Sequence, residues 1–185
     1  MVDAAPVMKK VKLPLDKKTR EEFRAGDVLL LEGRLFTARD QAHRRLVEAL
    51  SAGDEPPLRL QDEIIFYAGP TPAARGKKSG SIGPTTSSRM DPFTPQLASQ
   101  GVAAFIGKGP RSQKVCQALR DNGALYLVAV GGAAALLGSR VRSIRPIAYE
   151  DLGAEAIYEL EVEDFPVIVA CDLQGGDIFA HLRNR

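Results

Sequence analysis

Tryptophan is absent from this 185-residue sequence, and aromatic residues together make up only 6% of it. Little stacking surface is therefore on offer to nucleic-acid bases. The charge balance agrees: 25 basic against 23 acidic residues, a formal net charge of +2, is too even for a phosphate-binding footprint. Cysteine is scarce as well, with Cys116 and Cys171 far apart, no CxxC pair and no histidine cluster. Three or four metal ligands are not to be gathered from that inventory, so no metal ligand is assigned and no self-contained iron–sulfur or zinc site is expected. A disulfide is unneeded in a domain of this size, and buried thiols of a cytosolic protein are the expectation. Long apolar runs are missing too. The longest, Leu125 to Leu137, is broken by Gly131-Gly132 and falls short of the ~20 residues that span a bilayer. The first residues lack the basic-then-apolar order of a signal peptide, since the lysines follow Met8. The expectation is a soluble, cytoplasmic protein with no membrane and no nucleic-acid partner.

What is present is ordinary globular material, 44% hydrophobic and 26% charged. The length suits one domain over residues 1–185, with residues 1–6 as a flexible arm. Val7 to Leu15 sets apolar residues among lysines, as an edge strand does, and Asp16 to Arg24 suits a short helix. Asp27 to Gly33 and Glu63 to Pro70 are apolar runs between turn residues, the mark of strands buried on both faces. Between them a helical period starts at Asp40 and stops at Gly53, with Thr37 or Asp40 as its cap. His43 on that helix reads as a surface or packing histidine. Thr71 to Gly80 reads as a mobile loop, and Phe93 to Gln100 as a short helix. Val102 to Gly107 is a further strand, followed by a Ser112-capped helix to Asn122. Then come a strand from Leu125, a small-residue helix from Gly131, and strands at 143–149, 156–162 and 165–172. A terminal helix follows Gly175-Gly176. Strands alternating with helices predict an α/β fold, layered, with a mainly parallel central sheet.

The most informative stretch is Gly83-Pro84-Thr85-Thr86-Ser87-Ser88-Arg89-Met90, closed by Asp91-Pro92. It has no apolar face to bury, so it belongs in a loop or a first helical turn. Hydroxyls, exposed backbone N–H groups and a guanidinium suit a carboxylate or phosphate; a hydroxyl-rich surface loop that merely caps a helix fits the same composition. Two other cations stand at comparable junctions. Arg39 sits at a helix mouth, where the dipole disfavours positive charge, and Lys108 lies between glycines after a strand. In a parallel sheet those junctions share one edge. Joined by Thr85, Thr86 and Ser87, the cations Arg39, Arg89 and Lys108 suit a small dicarboxylate, with forked contacts from the arginines and a point charge from the lysine. No Ser-His-Asp arrangement, acid pair or metal cluster accompanies them, so the chain carries half of an active site.

The run Gly83–Met90 resembles the GPTTSxRM signature of class I, iron–sulfur-dependent fumarate hydratases, in their C-terminal domain or separate β subunit. Thr37-Ala38-Arg39-Asp40-Gln41-Ala42-His43 is similar to the TARDxAH of that family, and Gly107-Lys108-Gly109 to its GKG. The likeness runs from about Gly26 to the end, and L-tartrate dehydratase β subunits share it. The resemblance implies a "swivelling" β/β/α domain and a [4Fe–4S] cluster held by a partner α subunit, none being bound by this chain alone. It implies that Arg39, Thr86, Arg89 and Lys108 contact the substrate and that Thr85 transfers the proton at C3. The implied reaction is reversible hydration of fumarate to L-malate, inactive without the α subunit. Tartrate dehydration and a non-catalytic anion-binding module are the alternatives.

Overall fold

The computed structural model describes residues 8–71, 80–129 and 133–183. The arm at 1–6, most of the loop expected at Thr71–Gly80 and the Gly131-Gly132 helix start lie outside the described residues. The chain opens with β1 (Met8–Lys12) and α1 (Lys17–Glu22), whose N-cap Asp16 accepts a hydrogen bond from Thr19 N at 2.8 Å. It continues with β2 (Val28–Thr37), α2 (Asp40–Ala52), β3 (Ile64–Phe66), α3 (Thr94–Ser99), β4 (Ala104–Gly107), α4 (Gln113–Asp121), β5 (Leu125–Val128) and α5 (Ala134–Ser139). Last are β6 (Val141–Ala148), β7 (Ile157–Cys171) and α6 (Ala180–Arg183). Among the described residues no helix is long and apolar enough to cross a membrane.

The α/β character and the parallel ladder are as expected: β1, β2, β3, β4 and β5 pair in parallel in that order. The open layer is not what forms. β7 pairs antiparallel with β5 on one flank and with β2 on the other, so β2, β3, β4, β5 and β7 close into a ring. β1 extends β2 at an edge, as its lysines suggested, and β6 extends β7.

β7 also replaces two expected strands by one. The polar pair Glu163-Asp164 and Pro166 look like breaks, yet the strand runs 15 residues through them. Asp164 takes φ +50°, and opposite it the register with β2 slips between Leu31 and Gly33. Gly33 has φ +122°, and a Cβ there would come within 3.2 Å of Leu13 Cβ. A glycine is needed at that bulge for both reasons. Between Val162, the last partner of β6, and Ile168, the first of β5 read along β7, the other flank carries no ladder. Pro166 falls in that gap, where a missing N–H costs nothing.

Alternation along the short parallel strands splits the core in two. Ile64, Phe66, Ala104, Ile106, Leu125 and Leu127 point into the ring, where they meet Leu29, Leu31, Leu35, Leu160 and Phe165. Ile65, Tyr67, Phe105, Tyr126 and Val128 point outward and are covered by Leu46, Leu97, Val115 and Leu119 of the helices. Burial on both faces is why these strands read as unbroken apolar runs. At the ring centre Phe165 meets Phe66 edge-on, centroids 5.6 Å apart. Phe165→Ala should lower unfolding free energy by about 3–5 kcal/mol, measured as a shift in urea midpoint at unchanged slope.

Candidate active site

The parallel strands β2, β3 and β4 end on one edge, and that edge receives all the cations singled out in the sequence. Arg39 follows the end of β2, and Lys108 directly follows β4. The chain leaving β3 comes back over the same edge as Ile82–Met90. Its path is set by backbone bonds: Thr85 N donates to Tyr67 O at 2.7 Å, and Ser87 N to Lys108 O at 3.1 Å. Ala68 bridges Pro84, and Thr86 bridges Lys108. Thr85, Thr86 and Lys108 are thereby neighbours by main-chain pairing.

The arginines join them through side chains. Arg89 pairs with Asp40, its Nε donating to Oδ1 at 3.0 Å and its Nη2 standing 3.0 Å from Oδ2, while its Nη1 lies 3.5 Å from Thr85 Oγ1. Arg39 lies over Gly69, where a Cβ would press to 3.2 Å on its Cδ and Nη1, and its Nη2 is 3.3 Å from Glu155. Arg39 Nε is buried and meets no acceptor among the described residues. Arg39 itself, not Thr37 or Asp40, is the N-cap residue of α2, and it makes no side-chain cap bond. Asp40 begins the helix, where an anion is favoured by the dipole, and spends its carboxylate on Arg89. Thr37 instead turns its hydroxyl to Tyr158 N at 3.3 Å.

The capping explanation of the hydroxyl run fares poorly. Ser87–Met90 is a single 3₁₀ turn, and its N-cap Thr86 makes no side-chain cap bond. Ser87 is buried, and its Oγ lies 2.8 Å from the Tyr126 hydroxyl, which also reaches Gly109 O at 2.6 Å. Gly107 makes room for this: a Cβ there would overlap Ser87 Oγ and crowd Tyr67 Cδ2 to 2.8 Å. Thr86, Lys108 and Arg89 remain exposed, and Thr85 is partly covered.

Beneath the motif sits Arg111, only 2% exposed, a residue that no motif or local pattern singles out. Its Nε donates to Asp91 at 2.7 Å, Nη1 to the Tyr67 hydroxyl at 3.0 Å and Nη2 to Thr94 Oγ1 at 2.7 Å. The rings of Tyr67 and Tyr126 flank the guanidinium at 5.3 and 5.1 Å. Burial opposes the charge, but Tyr67 and Asp91 outweigh it and raise the Arg111 pKa. Burial pushes the Tyr126 hydroxyl up, so it stays protonated as a donor. Asp40 and Glu155 escaped notice as well. Asp40 reads as a helix start, and Glu155 is distant in sequence. The nearest signal for Arg111 is its place two residues beyond Gly107-Lys108-Gly109.

His43 is fully buried, as a packing histidine would be, with Nδ1 2.9 Å from Arg39 O and its ring edge-on to Tyr67 at 5.2 Å. Its Nε2 has no hydrogen-bond partner among the described residues.

A family model described as Fumarase C-terminus matches residues 3–182. The chain belongs to the fumarase C-terminus family. It is 38% identical over 183 residues to "Fumarate hydratase class I, anaerobic" of Escherichia coli, covering 95% of this chain and 33% of the relative. Against the aerobic counterpart of that organism it is 41% identical over 157 residues, covering 84% of this chain and 29% of the relative. The chain thus spans about a third of the length of these curated relatives. A protein of Methanocaldococcus jannaschii named for the β subunit of L(+)-tartrate dehydratase is 36% identical over 177 residues, covering 92% of this chain and 91% of the relative.

In this fumarase C-terminal domain, burial pulls the His43 pKa down to about 4; the Arg111 charge adds to that, while the bond to Arg39 O opposes it. The unfolded chain, with an ordinary histidine near 6.5, binds the proton more readily, so this contribution is complete above about pH 6.5 and is lost as pH falls towards 4. Urea unfolding at pH 7 and pH 4.5 should show a loss of about 2–3 kcal/mol from this residue. His43→Leu should flatten that part of the pH dependence.

Proposed function

We propose that this domain is the carboxylate-binding half of a hydro-lyase that interconverts fumarate and L-malate together with an α subunit. The observation that carries this is the pairing of both arginines with carboxylates, Arg39 with Glu155 and Arg89 with Asp40, at one strand edge beside Thr85. Groups that already hold carboxylates, one with an Nε donor unmet among the described residues, are suited to exchange them for those of a dicarboxylate. Lys108 adds a point charge from the next strand, and Thr86 a hydroxyl contact.

Hydration adds a hydroxyl to C2 and a proton to C3. Thr85 is the proposed proton carrier at C3. A free threonine hydroxyl is a very weak base, but the Arg89 guanidinium 3.5 Å away favours the ionised oxygen. The iron–sulfur group implied by the family resemblance does not fit this chain's residues. Two cysteines do not provide the three or four thiolates that a cluster takes, so the cluster is assigned to the α subunit. This chain's roles end at binding and proton handling. The closed ring holds its cationic edge as one wall, which a swivelling domain would present to the partner as a unit.

Tartrate dehydration is the second reading, favoured by the nearly full-length match to the relative named for a tartrate dehydratase β subunit. Anaerobic reconstitution with the α subunit, assayed on fumarate and on tartrate, separates the two. The chain alone should be inactive on both. Activity from the isolated chain would sink the half-site proposal, and an inactive reconstituted complex that still binds dicarboxylate would favour an anion-binding module.

In the complex, Arg89→Lys keeps the charge but loses the forked geometry and should lower kcat/KM roughly 10- to 100-fold, the equivalent of about one charge-assisted hydrogen bond. Unchanged kinetics would remove Arg89 from the site. Thr85→Ala should lower kcat by roughly 10²-fold or more with KM little changed. A rise in KM alone would make Thr85 a binding residue.

A further inference from the structure

Away from the cationic edge, the fold gathers the two cysteines that lie far apart in the sequence. Cys116, one turn into α4, faces Cys171 at the end of β7, with the sulfurs 3.1 Å apart. Asp177 bridges Cys171 across a tight reversal, and its Oδ2 lies 3.8 Å from Cys116 Sγ. The three ligand atoms all fall within 4.8 Å of one another. From the geometry we propose that Cys116, Cys171 and Asp177 form a binding site for a thiophilic divalent cation of the zinc type.

Three features support the assignment, and none depends on the hydro-lyase proposal. The first is donor chemistry: two soft thiols and a carboxylate oxygen are among the ligands that zinc-type cations take in tetrahedral sites. The second is rigidity. Asp172 Oδ1 accepts from Gln174 N at 2.9 Å and Gly176 N at 2.7 Å, and its Oδ2 accepts from Ala25 N at 2.9 Å. That locks the reversal between Cys171 and Asp177. Asp177 Oδ1 accepts from Phe179 N at 2.7 Å, the kind of support that orients a metal-binding carboxylate and leaves its other oxygen turned to the thiols. The third is access. A pocket of 360 Å³, lined by both cysteines, Asp177, Gln113, Gln117 and Arg120, opens onto the cluster and leaves a fourth position for water or another exchangeable ligand.

Tetrahedral bonds of 2.3 Å would set the sulfurs about 3.8 Å apart, so binding spreads them by roughly 0.7 Å. Binding expels the two thiol protons to solvent. The two positive charges of the ion then offset both thiolates, and Arg120 lines the same pocket. Counting cysteines and histidines along the sequence excluded such a site, because the third ligand is an aspartate that only the reversal after β7 brings in.

The test is a cobalt(II) titration of the reduced, chelator-treated 185-residue chain, read as thiolate-to-metal charge-transfer absorption. One equivalent should develop the band, and zinc(II) should abolish it. Cys116→Ser should lose the band, and Asp177→Asn should weaken affinity by about tenfold or more, at least the cost of losing an outer-shell partner. Melting curves in chelator, equal for the wild type and both variants, keep folding out of the result. Zinc should raise the melting temperature of the wild type, raise that of Asp177→Asn less, and leave Cys116→Ser unchanged. No band in the wild type, or a band of equal strength in Cys116→Ser, overturns the proposal. So does a reduced protein that binds no metal but closes a Cys116–Cys171 disulfide on oxidation, which would make the pair a redox dithiol.

Discussion

A guanidinium almost wholly withdrawn from water has to be matched group for group, because the desolvation of an unpaired buried charge costs several kcal/mol. Arg111 is matched in that way. Asp91, Tyr67 and Thr94 take its donors, and two aromatic faces close over its plane. Each partner belongs to a different piece of the chain. Tyr67 follows β3, Asp91 ends the hydroxyl-rich run, Thr94 starts α3 and Tyr126 lies in β5. Tyr67 also offers its carbonyl to Thr85, and Tyr126 reaches Ser87. The exposed face of the motif therefore hangs from a buried cation that touches none of the solvent side. Truncating Arg111 would take a donor from Asp91 and from the hydroxyls of Tyr67 and Thr94, so its charge is spent on holding position rather than on a ligand.

The ring supplies the other half of the placement. Parallel strands leave their C-terminal ends on one edge, and closure by β7 prevents those ends from splaying. Arg39 and Arg89 are then steadied by internal carboxylates. Glu155 comes from the segment between β6 and β7 and Asp40 from the first turn of α2. Two like charges at one edge are tolerable because each has a counter-charge within 3.3 Å.

Much of this could be read before any coordinates. The parallel order, the lysine-bearing edge strand, the Ser112 cap of α4 and the shared edge of Arg39, Arg89 and Lys108 all follow from local pattern and a topological rule. Three features did not follow, each for a physical reason. Ring closure depends on β7 pairing with β2 most of a chain length away, and no local period records that. The unity of β7 was hidden by Glu163, Asp164 and Pro166, whose usual meaning as breaks is overridden by a bulge and a gap in the ladder. Arg111 looked like any surface arginine, since burial of a charge is decided by partners contributed from other elements.

The position of β7 also governs the order in which the molecule can assemble. Strands β2 to β5 each pair with the next strand along the chain, whereas β7 must find β2 across most of the sequence. Contacts of such separation are costly in loop entropy and form slowly. A chain emerging from the ribosome would hold β2 through β5 as an open, twisted sheet with an uncovered flank until β7 emerged. The Arg39–Glu155 pair at the cationic edge can form only once the segment before β7 is in place. Folding of this domain is therefore gated by its C-terminal strand, and the interval before closure is when its apolar ring interior stands open to aggregation or to a chaperone.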